Sequence, residues 1–387
     1  MYKYELKDDL LVIYLEGNID STNAQNVESE IMEITSSNSF KFLLLDGADL
    51  KYISSAGLRI VLKLLRVNKN MEMINLSNEV YDIFDMTGFS KMMTVRKAFR
   101  TISLDGAKKI GEGAKGIVYS LNNDLIVKAY KGDNVLPMIQ KEVESAKIAF
   151  LLGVPTAISY DIVRVGDSYG TVFELLDAKS MSNLISEDEG NLEKYAFMYV
   201  NLLKMMHSIK TDNEKIPSQM TVVNKWMNNF KLVASSDLFN KVSALIASIK
   251  ETHTLIHGDF HSSNIMLQNG EPLLIDMDTL SYGNPILELA IIDFNYDTFN
   301  QFDENNSIHF LGIKTEVAKK FYELVINDYF LGKKDDEIKR NKERIKLLSL
   351  LRVINHTLRR TKDEKIIKSA LDSIEELIKD INDLNLE

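Results

Sequence analysis

The stretch LIHGDFHSSNIML, Leu255 to Leu267, constrains this chain more than any other. Asp259 and Asn264 stand five residues apart between two apolar, strand-like runs, and IDMD, Ile275 to Asp278, follows shortly afterwards. One carboxylate, one amide oxygen and a second carboxylate therefore come in fixed order from a short loop and the next strand. A hydroxyl about to accept a phosphoryl group needs a carboxylate at a fixed point, which Asp259 supplies. A magnesium ion needs oxygen ligands and takes few of them from protein, which suits Asn264 and Asp276. The order of parts matches phosphoryl transfer. The competing reading, three polar residues sharing a turn by chance, weakens once the upstream elements are counted.

The first of these is IGEGAKGIVY, which has Gly111, Gly113 and Gly116 in a G-x-G-x-x-G-x-V arrangement. Glycine lets backbone amides approach phosphate oxygens with no Cβ in the way. Taken alone the triplet is equally a tight hairpin. Its flanks are strand-like and no helix follows directly, which disfavours a dinucleotide-binding turn. The strand LIVKAY then carries Lys128 among apolar neighbours, where a charge is costly without partners. An edge lysine reaching to water is the ordinary reading; a phosphate-binding lysine held by a carboxylate is the functional one. The following helix, QKEVESAKIAFLLG, offers Glu142 and Glu144. Counting back from Gly153, Glu142 leaves Ile148 and Leu152 for the core and is the preferred partner.

At 387 residues the chain has room for two or three units. Its net charge of −10 argues against wholesale nucleic-acid binding, which needs a basic face. The absence of cysteine excludes disulfides, thiolate metal sites and cysteine nucleophiles. The opening MYKYELKDDLLVIYLEGNID lacks a basic start followed by an apolar run, so it does not read as a signal peptide. No stretch approaches the roughly 18 uninterrupted apolar residues of a membrane span. The expectation is a soluble, cytoplasmic protein with no membrane partner.

From residue 1 to about 100 strands alternate with helices, the pattern of an α/β layer. LLVIYLEG, KFLLLDG and MEMINL read as strands. STNAQNVESEIMEITSS reads as a helix capped by Ser21 with Ala24, Val27, Ile31 and Ile34 on one face. SAGLRIVLKLLRVN puts Leu58, Val61, Leu62 and Leu65 on one face, and NEVYDIFDMTG is a short helix closed by Gly88. The basic stretch RKAFRTISLDGAKK contains the boundary and has no linker character, so any linker is short. Beyond it, KKIGEG, GIVYSL, DLIVKAY, ISYDIVRVG and SYGTVFELLD read as strands, and after about residue 190 the chain is mostly helical. Ile367, Ala370, Ile374, Leu377, Ile381 and Leu384 recur at steps of three and four, an amphipathic helix expected to dock on its own domain rather than on a coiled-coil partner, since the repeat covers under three heptads.

On these motifs, residues from about 105 onward resemble the aminoglycoside phosphotransferase and choline kinase-like family, a branch of the protein-kinase-like fold. HGDFHSSN is similar to that family's H-G-D-x-x-x-x-N, IDMD to its I-D-[FW]-[DG], and GNPILELA to its G-D-P-x-x-D-L-A, with Asn284 and Glu288 in place of aspartates. The resemblance implies Asp259 as the catalytic base, Asn264 and Asp276 as Mg2+ ligands, Lys128 as the nucleotide-phosphate lysine and Glu142 as its partner. It implies that Gly111, Gly113 and Gly116 cover the phosphates of ATP and that the backbone of Glu174 to Leu176, after the gatekeeper-like Phe173, faces adenine. His257 and His261 are expected to hold the loop. Over residues 1 to about 100, DGADLKYISSAGLRIVLKLL and FDMTGFSKMM resemble the STAS domain of anti-sigma factor antagonists. Hydroxyls at a helix start ordinarily cap it; the resemblance makes Ser55 the candidate phosphosite, with Ser54 where the family has Asp. The expected molecule is thus an α/β STAS domain, a mixed sheet with flanking helices, over 1–100. A bilobal α+β protein-kinase-like domain with a helical C-lobe occupies 101–387, its N-lobe about 105–178 and its C-lobe about 179–387. Its expected activity is ATP- and Mg2+-dependent transfer to a hydroxyl of a small-molecule or protein acceptor. An anti-sigma-factor-like protein is the candidate partner of the STAS domain. The alternative is a nucleotide-sensing pseudokinase whose STAS domain is a switch; retention of Lys128, Asp259, Asn264 and Asp276 favours the enzyme.

Overall fold

Apolar residues dominate the run Leu10–Ile19, and it forms the long strand β2, paired antiparallel with β1 (Tyr4–Lys7) across a turn at Asp8, whose φ is 51°. The computed structural model describes residues 2–113, 115–122, 124–132, 135–175 and 178–387. Two compact units emerge: Met1–Ser103 with Val163–Asp167, and Leu104–Ile162 with Ser168–Glu387.

In the first unit α1 (Ala24–Ser37), β3 (Phe42–Ile53), α2 (Ser55–Val67), β4 (Met71–Leu76), α3 (Asn78–Met86) and β5 (Thr94–Lys97) follow in alternation. The sheet order is β1-β2-β3-β4-β5, with β2 to β5 parallel, so the sheet is mixed and the helices serve as crossovers. Several local expectations are corrected. Asn23, not Ser21, occupies the cap position of α1, because Ser21 lies in the turn before it. The strand expected to stop at Gly47 continues to Ile53, since Leu50 and Ile53 are buried and extend the pairing with β2. The α2 face that enters the core is Gly57, Leu58, Ile60, Val61 and Leu64, with Leu62 and Leu65 half-buried at its margins. A two-residue strand β6 (Thr101–Ile102) closes this part of the chain.

The second unit opens with β7 (Lys108–Glu112), β8 (Gly116–Ser120) and β9 (Leu125–Tyr130), then α4 (Leu136–Leu151); β10 (Asp161–Val165) follows, most of it grouped with the first unit, and β11 (Ser168–Glu174) resumes the second. Strand β10 pairs in parallel with β6, Arg164 opposite Thr101. Strand β9 lies antiparallel between β8 and β11, which puts Lys128 opposite Val118 on one side and Thr171 on the other. After β12 (Ala178–Ser180) come α5 (Met181–Glu187), α6 (Leu192–Ser208), α7 (Met220–Phe230) and α8 (Ser236–Ala247). The strands β13 (Thr254–Ile256), β14 (Ile265–Gln268), β15 (Glu271–Leu274) and β16 (Ser281–Gly283) interrupt the helices, β12-β14-β15 forming one small sheet and β13-β16 another. Helices α9 (Pro285–Tyr296), α10 (Asn306–Leu311), α11 (Thr315–Tyr329), α12 (Asp335–Arg360) and α13 (Glu364–Leu377) complete the unit.

Helix α9 is buried on every side from Ile286 to Tyr296, including Glu288, Asp293 and Asn295 among its mostly apolar residues. It is the hub against which the loop after β13 is built. The terminal amphipathic helix is shorter than its repeat suggests: α13 ends at Leu377, and Ile381 and Leu384 are buried from a non-helical tail instead. Among the described residues no helix is long and apolar enough to cross a membrane.

Candidate active site

The loop between β13 and β14, His257 to Asn264, is short because Leu255, Ile256, Ile265 and Leu274 bury both of its ends. Gly258 is required in it twice over. Its φ is +82°, and a Cβ there would meet the carbonyl oxygen of Thr279 at 2.5 Å. Glu288, fully buried on α9, accepts the amide of His257 at 2.7 Å and that of Gly258 at 2.9 Å. The His257 ring then joins two segments. Its Nδ1 accepts the Asp259 amide at 3.2 Å, so the ring proton sits on Nε2, 3.1 Å from the carbonyl of Ile275. Burial pushes this imidazole down, which keeps it neutral and suited to that division of roles. Thr279 donates to the His257 carbonyl, Tyr199 to that of Phe260, and the Tyr296 hydroxyl takes the Ser262 amide while donating to its Oγ. Nearly every polar group of the loop backbone named here is thus held from a different element.

Asp259 projects from this scaffold. Its carbonyl receives the Asn264 side-chain N–H at 3.0 Å, which leaves the Asn264 amide oxygen as that group's acceptor. Burial raises the Asp259 carboxyl, but the His261 ring 3.5 Å away and the charge of Arg352 outweigh it and hold the group well below the usual carboxylate range. His261 packs edge-on against Phe310, ring centroids 4.8 Å apart. His257 therefore holds the loop, as expected, while His261 stands beside the Asp259 carboxylate.

Asp276 follows β15 with φ 62° and ψ 60°, a left-handed conformation that costs energy for a residue with a Cβ and is tolerated best by Asn and Asp. The twist brings its carboxylate to two ammonium groups. Lys128 Nζ is 3.4 Å from Asp276 Oδ1 and 2.6 Å from Glu142 Oε1. Lys128 also lies over the Tyr130 ring, 5.0 Å from its centroid. Burial lowers the Lys128 ammonium, and the charges of Asp276 and Glu142 more than restore it. Glu144 points elsewhere, to Lys215 at 2.6 Å. The second cation is Lys115, whose Nζ is 2.6 Å from Asp278 Oδ2 and 3.4 Å from each oxygen of Asp276. Burial pushes the Asp276 carboxyl up, and the charges of Lys128 and then Lys115 bring it below its usual range.

In the glycine triplet only Gly116 is sterically forced: a Cβ there would strike the Ala129 carbonyl at 2.5 Å. The loop is closed by the Gly113 amide donating to the Gly116 carbonyl at 2.9 Å. Around Gly113 a Cβ would meet nothing within 4 Å, and Gly111 faces Val118 at ordinary distance. Glu174 ends β11 with an exposed side chain, reached by the Tyr160 hydroxyl at 3.4 Å, and stands apart from the ion-pair network. Leu176 lies outside the described residues. Asn284 caps α9 by accepting the Ile286 amide, a role any short polar side chain can fill in place of aspartate. Among the described residues no cluster of three or more His, Cys, Asp or Glu could hold a metal. Two hard oxygen donors, Asn264 and Asp276, fit a magnesium ion that takes the rest of its shell from phosphates and water.

A family model described as "Phosphotransferase enzyme family" matches residues 106–307, more than half of the chain. The chain belongs to that family. A STAS domain model matches residues 2–103 of this phosphotransferase. Over 92 residues it is 33% identical to BtrV of Bordetella bronchiseptica, named for anti-sigma factor antagonism, covering 23% of this chain and 78% of that one. Among solved structures, a streptomycin–ATP–APH(2″)-IIa ternary complex aligns with TM-score 0.47 at 16% identity, covering 69% of this chain and 92% of that chain. A choline/ethanolamine kinase family protein from Mesorhizobium loti aligns with TM-score 0.44 at 12% identity, covering 72% and 89%. Likeness at that level assigns no residue a role.

Sequence reasoning missed Lys115 and Asp278 as partners in this phosphotransferase. Lys115 stands inside the glycine triplet, between Gly113 and Gly116, where a charge is otherwise unexplained. Asp278, two residues after Asp276, was equally visible. Neither carries a period that links them; only the turn at Asp276 does. The grip of Glu288 on two loop amides was also invisible, because it depends on the packing of α9 under the loop.

Proposed function

We propose that this phosphotransferase uses ATP and Mg2+ to phosphorylate a hydroxyl on a small-molecule or protein acceptor. The observation that supports the reading most is the single Lys128 ammonium held between Glu142 and Asp276. In this reading Lys128 meets the nucleotide phosphates, Glu142 fixes its direction, and the amides around Gly111, Gly113 and Gly116 cover the phosphates. The backbone at Glu174 and Leu175 would face the base. Asn264 and Asp276 would hold the metal, which supplies charge neutralisation at the phosphates when bound. The acceptor oxygen attacks the γ-phosphorus, the bond to the β,γ-bridging oxygen breaks, and ADP leaves. The acceptor proton passes to Asp259. In a loose transition state that proton moves late, so a carboxylate of low pKa serves chiefly by orienting the hydroxyl.

The test is an ATP-consumption screen with magnesium against aminoglycosides, amino alcohols, sugars, nucleosides and the isolated STAS domain. Asp259→Asn is expected to keep nucleotide binding and lose about 10²–10⁴ in turnover. Full turnover in that variant would remove Asp259 from the role.

We propose further that the chain divides near residue 100 and that the STAS domain regulates the transferase, with Ser55 as a phosphosite and an anti-sigma-factor-like protein as partner. Ser54 caps α2 by accepting the Ala56 amide at 3.2 Å, while Ser55 is the exposed first residue of that helix. A phosphate there adds a charge of about −1.5 to −2 at the end of the helix that favours it. Arg59, one turn on, already reaches the Ser55 carbonyl through Nε at 3.2 Å. Incubation with magnesium and ATP followed by peptide mass analysis checks it: one phosphate on Ser55, absent in Asp259→Asn, is expected if the chain modifies itself.

A further inference from the structure

The two ammonium groups on Asp276 differ in how they are held. Lys128 rises from the middle of β9, between two hydrogen-bonded neighbours, and its second partner Glu142 is buried. Lys115 is carried by the turn between β7 and β8, and its side chain remains one-third exposed. Its Nζ faces both oxygens of Asp276, each at 3.4 Å, and Asp278 at 2.6 Å. A metal ion on Asp276 would meet that ammonium at like-charge contact distance. With Lys128 also on Oδ1, a doubly charged ion added to this carboxylate beside Lys115 meets strong repulsion unless that ammonium moves away.

We propose that Lys115 is the built-in counter-cation of Asp276 and Asp278 in the nucleotide-free enzyme. It yields Asp276 to the divalent metal only when nucleotide phosphates offer its ammonium another partner. This rests on the proposed use of ATP and Mg2+ and adds a rule of order to it: metal affinity is low until nucleotide is present. The charge count gives the reason. Glu142, Asp276 and Asp278 carry three negative charges against two positive ones on Lys115 and Lys128. A bare divalent ion arriving at Asp276 meets an ammonium 3.4 Å from both carboxylate oxygens, kept there by its 2.6 Å pair with Asp278. Nucleotide phosphates supply several anionic oxygens, so Lys115 exchanges one set of partners for another. By reciprocity, whatever makes nucleotide favour metal makes metal favour nucleotide to the same degree.

The experiment titrates Mn2+ by the electron paramagnetic resonance of the free ion, with the full chain, first without nucleotide and then with a non-hydrolysable ATP analogue. Lys115→Met removes the charge at similar length and Lys115→Arg keeps it; melting curves check that both are folded. Without nucleotide, Lys115→Met should bind Mn2+ tenfold or more tighter than wild type, within the ordinary range of coupling between sites. Lys115→Arg should behave as wild type, and adding Asp276→Asn to Lys115→Met should abolish the gain. With the analogue present, the difference in Mn2+ affinity between wild type and Lys115→Met should shrink. Equal Mn2+ affinity of wild type and Lys115→Met without nucleotide overturns the proposal, as does a gain that survives Asp276→Asn. The nucleotide-free arm reads the Lys115 competition by itself. Failure of the analogue to bind wild type under any metal condition would instead sink the ATP reading.

Discussion

Lys128 is the residue on which the site turns, and its surroundings set what its loss would do. Glu142 is 5% exposed, and its Oε2 has no hydrogen-bond partner among the described residues, so Lys128 is the main compensation for that charge. Lys128→Met would leave a buried carboxylate facing a second one at Asp276. We expect a drop in stability of roughly 1–3 kcal/mol, the cost of a buried charged group left unpaired. ATP affinity should fall as well. Adding Glu142→Gln to Lys128→Met should recover stability without recovering ATP binding. Denaturant melts and nucleotide titrations of the single and double variants check this. A double variant no more stable than Lys128→Met alone would show that the pair is not coupled. That Lys128 mattered was legible from one fact, a lysine inside the apolar run LIVKAY. Its partner followed from counting along the next helix. The second carboxylate contact, to Asp276, was not legible in the sequence, because it depends on a left-handed residue 148 positions away.

At the scale of elements, α9 and the loop after β13 form one device. The Glu288 carboxylate accepts two loop amides inside a fully buried setting, close to His207 Nε2 at 4.0 Å and to the charge of Asp259. Burial raises its pKa to about 7, the amides opposing. A carboxyl with a folded pKa above its unfolded value of 4.5 binds more protons in the folded state between those pH values. Its contribution to stability is therefore fully present at low pH and declines as pH rises toward 7. Glu288→Gln cannot titrate. The stability of Glu288→Gln relative to wild type should thus climb between about pH 5 and 7, by up to about 1.4 kcal/mol per pH unit, and level off above. Activity should fall in the same variant, since the amide oxygen replaces only one of two acceptors under the loop. A stability difference that stays flat across that range would mean that Glu288 titrates normally. Most elements were legible because period-2 and period-3.6 patterns are written locally. The misses have local causes too: a cap displaced two residues by a turn at Asp20–Asn23, and a strand extended by pairing with β2. The tail after Leu377 kept helical spacing without being helical, because Ile381 and Leu384 reach the same core from an irregular backbone.

At the scale of the whole molecule, the question is where one unit can be cut from the other. The two family models leave only residues 104 and 105 between them. Yet the segment Val163–Asp167 groups with the first unit, because β6 at Thr101–Ile102 pairs with β10, and the Arg164 amide donates to the Arg100 carbonyl at 2.9 Å. The first unit has its own core, built on Leu11, Ile13, Leu45, Leu64 and Phe84, and the second has a separate one. Each is therefore expected to fold alone. The end point of the deletion should matter. Removing residues 1–99 keeps Arg100 to Ile102 and their ladder to β10. Removing residues 1–105 strips β10 of that partner and leaves its backbone groups to water. Both products should melt cooperatively, but the shorter one should melt lower, by several degrees if two or three backbone hydrogen bonds of about 1 kcal/mol each are lost. Calorimetry on the two products decides the matter. Identical melting temperatures would show that β6 adds nothing to the transferase unit. A shorter product that is insoluble or melts without cooperativity would show that the boundary is misplaced.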